Sequence, residues 1–145
     1  MFKRYLWSLI LSTLLVSSCA EPNNPDANNA VAVAQDYCAE VIEYLDEFYS
    51  SVNRGMNDES TDVSAELKIT AKKLALIAVR AENDGLELAT PEAVWLIYLK
   101  KSSLSLIHLI DGEADGLSDD ELRKLLSRML YDFSASGEKC SPREA

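Results

Sequence analysis

The sequence predicts an all-α protein built as a single up-down-up-down four-helix bundle, and three observations carry that prediction. Apolar residues recur at spacings of three and four in four separate stretches, the periodicity of a helix face turned toward a core. Start and stop signals punctuate those stretches, most clearly Ser118 followed by Glu121 three residues on, the pattern of a capping box. The connections between the stretches are short, which makes consecutive helices antiparallel neighbours. No internal repeat and no second domain is visible.

The helical domain is expected over residues 30–145. In the first stretch, Val31, Ala34, Cys38, Val41, Leu45, Phe48 and Val52 form one unbroken seam, and residues 55–59 (Gly-Met-Asn-Asp-Glu) read as its stop. A second helix is expected from Thr61 or Asp62, either a fair N-cap, to Glu82. Its seam is Val63, Leu67, Thr70, Leu74, Ile77 and Ala81, with Ile69, Leu76 and Val79 widening the apolar face. Gly85 is placed to take the left-handed conformation after the helix end. Thr90-Pro91-Glu92 reads as the start of a third helix: a capping hydroxyl, a proline in the first turn, an acid at the positive end of the dipole. That helix runs to Ile110 and is the most apolar part of the domain, interrupted by Lys100-Lys101-Ser102-Ser103. A fourth helix opens at Ser118, shows Leu122, Leu125, Leu126, Met129, Leu130 and Phe133 on one face, and is expected to end near Gly137, leaving Cys140 on a short tail.

The chain ahead of the domain is of another kind. Met1 to Tyr5 carry Lys3 and Arg4 and no acid, and Leu6 to Val16 is apolar, a run that suits a signal peptide and is too short to span a bilayer core of ~30 Å. It ends in Leu14-Leu15-Val16-Ser17-Ser18-Cys19, which resembles the lipobox of bacterial lipoproteins: an aliphatic residue, two small residues, then a cysteine that is lipidated. The resemblance implies removal of residues 1–18 and acylation of Cys19, which then holds the protein to a lipid bilayer; several acyl chains suffice where one is marginal. Ala20, in place of an aspartate, leans toward the outer membrane with the domain facing the periplasm. Residues 19–29, rich in Pro, Asn and Ala, read as a lipidated tether reaching at most ~35 Å.

Removing residues 1–18 from 145 leaves 127, enough for one modest core. The formal net charge then moves from −10 to −12, since the leader takes Lys3 and Arg4 and no acid. So acidic a chain does not track phosphate backbones, which excludes nucleic acid as a partner, and it is repelled by anionic headgroups. With Cys19 acylated outside the cytoplasm, Cys38 and Cys140 remain as a pair, which in an oxidising compartment reads as a disulfide. Two free buried thiols are the alternative. The bundle topology favours the bond, because it brings the end of helix four beside the start of helix one.

Several constellations have both a chemical and a plain reading. Asp111, Glu113 and Asp115 with Gly116 resemble the opening of an EF-hand calcium loop, but Glu121 falls eleventh instead of twelfth. A glycine turn feeding a capping box explains the same residues, so no metal site is expected. Asp36, Glu40, Glu43 and Glu47 stack acids along helix one at spacings of four, three and four. They are expected to face away from the seam, either as a solvated face partly paired with Lys68, Lys72 and Lys73, or as a docking surface for a basic partner. Trp95 and Leu99 on the third helix are candidate apolar anchors, with core packing as the plain account. His108, the one histidine, reads as a core or rim residue near a helix C-terminus, and the serines lie in no nucleophile-elbow pattern. No catalytic constellation and no cofactor site emerges.

The expected function is therefore a non-catalytic adaptor lipoprotein that binds an envelope or secreted protein. In plan it resembles the α-helical pilotins of secretion systems, small four-helix lipoproteins with one disulfide, although no shared motif carries the likeness. A periplasmic immunity protein using the acidic face is the alternative, and a weak calcium- or ligand-binding lipoprotein the next.

Overall fold

Residues 35–58, 60–112 and 116–141 are described by the computed structural model. They form four α-helices and, among the described residues, no strand: α1 (Cys38–Asn57), α2 (Ser64–Asn83), α3 (Val94–Ile110) and α4 (Asp119–Cys140). The tether and the first part of the expected seam, Val31 and Ala34, lie outside the described residues.

The seam predicted for α1 is the one the fold buries: Cys38, Val41, Leu45, Phe48 and Val52 all face the core. The helix ends at Asn57, inside the stretch 55–59 read as its stop, with Gly55 itself still helical. Glycine weakens a helix by about 1 kcal/mol without breaking it, and here it serves a close approach. A Cβ at position 55 would stand 2.8 Å from Val63 Cγ2, where the chain turns into α2.

In α2 neither Thr61 nor Asp62 is the N-cap. That residue is Val63, without a side-chain cap, while Asp62 Oδ1 accepts the amide of Ser64 at 2.9 Å. Leu67, Thr70, Leu74, Ile77 and Ala81 are buried as expected, and Ala71, Ala75 and Ala78 join them. Ile69 and Leu76, expected to widen that face, instead point outward. The helix closes as predicted: Gly85 has φ 91°, the Leu86 amide bonds to Ala81 O and the Gly85 amide to Glu82 O, and Leu86 is buried. This is a Schellman motif with its hydrophobic contact.

The Thr90-Pro91-Glu92 start signal is displaced. Leu88 and Ala93 are buried, so the connection is drawn onto the core and 88–93 form turns. Thr90 Oγ donates to Glu87 O instead of capping, and α3 begins at Val94. At the start of α4 the capping box forms in full: Ser118 Oγ accepts the Glu121 amide while the Glu121 carboxylate takes the Ser118 amide. Gly137 lies inside α4, not at its end, and Cys140 is the last helical residue. A Cβ at 137 would meet Leu45 Cδ1 at 3.4 Å, so this position of α4 faces α1.

Cross-links fix the order around the bundle. Glu40 with Arg80 and Glu47 with Lys73 run α1 against α2. Lys68 with Asp111 and Glu82 with Lys100 run α2 against α3. Ser102 with Asp132 joins α3 to α4, and Phe48 with Phe133 joins α1 to α4. Each neighbour is antiparallel, as in an up-down-up-down bundle. Cys38 and Cys140 form a disulfide at one end, with Cα atoms 4.9 Å apart.

At that same end the Tyr37 hydroxyl donates to Asp84 Oδ2, tying the entry of α1 to the turn after α2. The hydrogen bond to Asp84, then burial, push the Tyr37 hydroxyl up to about 12. A raised phenol contributes stability that is whole below its ordinary pKa near 10 and is lost as pH climbs through 12. Wild type should therefore lose stability between about pH 10 and 12 more steeply than Tyr37→Phe, which should itself be weaker by about 1 kcal/mol at pH 7. Urea titrations across that range check it, and parallel pH profiles for the two proteins would refute the coupling.

Candidate functional site

The acidic stripe divides once α2 is placed beside it. Arg80 reaches Glu40 at 2.5 Å and Lys73 reaches Glu47 at 2.8 Å. The hydrogen bond from Arg80 holds the Glu40 carboxyl below its ordinary range, and the one to Glu47 pushes the Lys73 ammonium up. Glu40 thus contributes stability above the usual carboxyl range that falls away as pH drops through its lowered value. These pairs are half exposed and each is worth little, but they make Glu40 and Glu47 the edge of the α1–α2 interface. Asp36 and Glu43, with Asp46, remain on the exposed face. Of the cations expected to neutralise the stripe, only Lys73 does so; Lys68 pairs with Asp111, and Arg80 takes the place that sequence reading gave to Lys72.

Trp95 and Leu99 are 6% and 0% exposed and belong to the core. They are not available as surface anchors, and that expectation is corrected: their face of α3 is the one turned inward. His108 is exposed. The first residue of the calcium-like loop, Asp111, is engaged by Lys68, and Glu121 by the capping box; residues 113–115 lie outside the described residues. Among the described residues no three His, Cys, Asp or Glu side chains are grouped to hold a metal ion, and no helix is long and apolar enough to cross a membrane. Cys19 lies outside the described residues.

The polar run in α3 has a role that local sequence did not reveal. Ser102 Oγ donates to Asp132 Oδ2 at 2.5 Å inside the core, and Ser136 Oγ donates to the Asp132 carbonyl at 2.7 Å. Ser103 Oγ is buried without a partner among the described residues. Ser102, Asp132 and Ser136 thus form a polar layer between α3 and α4.

Two further surface features went unread. Ile69 and Leu76 are 56% and 57% exposed on the outer side of α2, and Leu104 is 42% exposed on α3. Charge is also divided: α2 and α3 together hold six Lys and Arg against Glu66 and Glu82, in a chain with 14 cations and 24 acids. The helical spacing of Ile69 and Leu76 was legible, but their orientation was not. No protein-family model, no curated protein and no solved structure matches the chain.

Proposed function

We propose that this chain is a non-catalytic lipoprotein of the bacterial cell envelope, held to a membrane through acylated Cys19 and acting as a protein-binding adaptor. The observation that carries the reading is the Cys38–Cys140 disulfide, which belongs with an oxidising compartment and agrees with the lipobox at Val16–Cys19. It clamps the bundle end nearest in sequence to Cys19. A pilotin-like role in delivering or assembling an envelope protein is the finer form of this reading. The immunity alternative has less support, because Glu40 and Glu47 are turned onto Arg80 and Lys73.

Cys19→Ser should move the protein from the membrane to the soluble fraction or leave its leader uncleaved. Mass spectrometry of the wild-type mature protein should find an acylated N-terminal cysteine, and an unmodified N-terminus elsewhere would remove the anchor from the proposal. Photo-crosslinking from exposed positions of the anchored protein in its own cells should capture an envelope protein, whereas turnover of a small molecule by the purified chain would end the adaptor reading.

A further inference from the structure

We infer that the bundle lies on its membrane with the outer side of α3 and the adjoining flank of α4 against anionic phospholipid headgroups. The inference rests on the lipoprotein reading and names the side of the domain that the bilayer contacts.

α3 contains no acid. Of its two lysines, Lys100 is held by Glu82, while Lys101 is exposed. Tyr98 and Leu104, three residues to either side of Lys101, are exposed as well. The bond from Ser102 to Asp132 fixes which flank of α4 adjoins this side. Arg128 and Lys139 stand four before and seven after Asp132, spacings that return to the same flank of a helix. Lys101, Arg128 and Lys139 are exposed, and none makes an ion pair or side-chain hydrogen bond with another described residue. Acids border this side at its ends: Asp111 is held by Lys68, Glu121 by the capping box, and Glu92 precedes α3. Glu138 is exposed too, but it stands about 100° round α4 from Lys139, away from α3.

Local charge chooses the occupant. Composition alone predicts repulsion from anionic headgroups, on a net charge of −10. At physiological salt, however, a headgroup feels only charges within ~8–10 Å. Asp36, Glu43 and Asp46, the acids left exposed on the α1 side, lie across the diagonal of the bundle from α3. With adjacent helix axes about 8–10 Å apart, that diagonal alone exceeds the screening length. A partner helix would need its apolar anchors along one seam, but Tyr98 and Leu104 point about 120° apart with Lys101 between them. A bilayer interface takes that arrangement as it stands. Tyrosine and leucine enter the headgroup layer, while lysine and arginine lay down their apolar stems and keep their charge at the phosphates. A second copy would bring cation against cation. Residues 20–34 reach at most about 50 Å, roughly twice the length of the 17-residue α3, so an anchor at Cys19 lets the domain lie on this side.

The test uses the full acylated chain in nanodiscs of phosphatidylcholine, with and without about one third phosphatidylglycerol. A benzophenone amino acid replaces Tyr98, Leu104, Ser50 or Asn53 in turn, and lipid adducts are measured by mass spectrometry after illumination. With phosphatidylglycerol present, the two α3 positions should give at least about fivefold more adduct than Ser50 and Asn53 on α1. Lys101→Glu with Arg128→Glu should remove that excess, and salt near 1 M, which shortens the screening length to about 3 Å, should cut it by about half or more. Glu43→Gln with Asp46→Asn, which removes acids on the far side, should leave it unchanged. Circular dichroism should find every variant folded. Equal adducts on α3 and α1, an excess as large in phosphatidylcholine alone, or indifference to the Lys101 and Arg128 changes would overturn the inference. So would a benzophenone at Leu104 that captures a second copy or, in cells, an acidic protein instead of lipid. If adducts are equal on a chain that is acylated, this face falls while the lipoprotein reading stands. If Cys19 proves unacylated, the anchor falls, and the face is read by the same outcomes on the chain held to the discs by a histidine tag and a nickel-chelating lipid.

Discussion

Replacing Cys38 and Cys140 together with serine should lower the stability of the domain by roughly 4–5 kcal/mol, the chain-entropy value for a loop of about 100 residues. The two cysteines are 102 positions apart, so the bond encloses almost the whole bundle and removes much of the freedom of the unfolded chain. Domains of this size are commonly stable by only 5–15 kcal/mol, so the serine variant should sit close to its unfolding threshold. The loss should be felt first at the α1–α4 seam. That seam closes the ring of helices, and among the described residues the end of α4 is capped by the Ser141 amide and hydroxyl, both bonded to Gly137 O. Urea unfolding of wild type, oxidised and reduced, beside the double serine variant should give two coincident destabilised curves and one stable one. A shift of less than about 1 kcal/mol would mean that the bond closes a loop the unfolded chain already keeps closed.

The number of helices, their order and the pairing of the cysteines were legible because each depends on local periodicity or on topology. The core face of α1 was read residue by residue, since only one seam runs through it. α2 misled because it has two. Periodicity finds a face but does not say which neighbour it meets, so Ile69 and Leu76 were assigned to the core and the small Ala71, Ala75 and Ala78, which let α3 pack closely, were passed over. The stretch 55–59 was read as a stop and α1 does end inside it, at Asn57, whereas Gly137 was read as ending α4 and the helix runs on to Cys140. Thr90 had every local mark of a cap, and the burial of Leu88 and Ala93 overrode it. The acids of α1 were visible, but which of them were engaged depended on the register of α2, and Asp132 could not be matched to Ser102 across 30 residues by any local pattern. What sequence misplaced was in each case decided by a contact between helices.

The same seam holds the side chain whose removal should cost the most. Phe133 is fully buried, and its ring meets Phe48 edge-on with centroids 5.0 Å apart and planes at 72°, a favourable aromatic geometry. It lies two turns from Cys140 on α4 and level with the middle of α1, where Leu45 and Gly137 make the next layer of contact. Phe133→Ala removes the ring and leaves a cavity that the disulfide will not let the helices collapse to fill, so the loss should be about 3–5 kcal/mol. Phe133→Leu, which keeps most of the volume, should lose less than half of that. Tyr131→Ala, two residues earlier and 61% exposed, should stay within about 0.5 kcal/mol of wild type. Because Phe133 and the disulfide bind the same two helices, their losses should not add: in the reduced protein α1 and α4 are free to close on the cavity, and Phe133→Ala should cost measurably less there. Chemical denaturation of the three variants in both redox states measures all of these. An equal penalty for Phe133→Ala with and without the disulfide would show that the seam relaxes independently of its clasp.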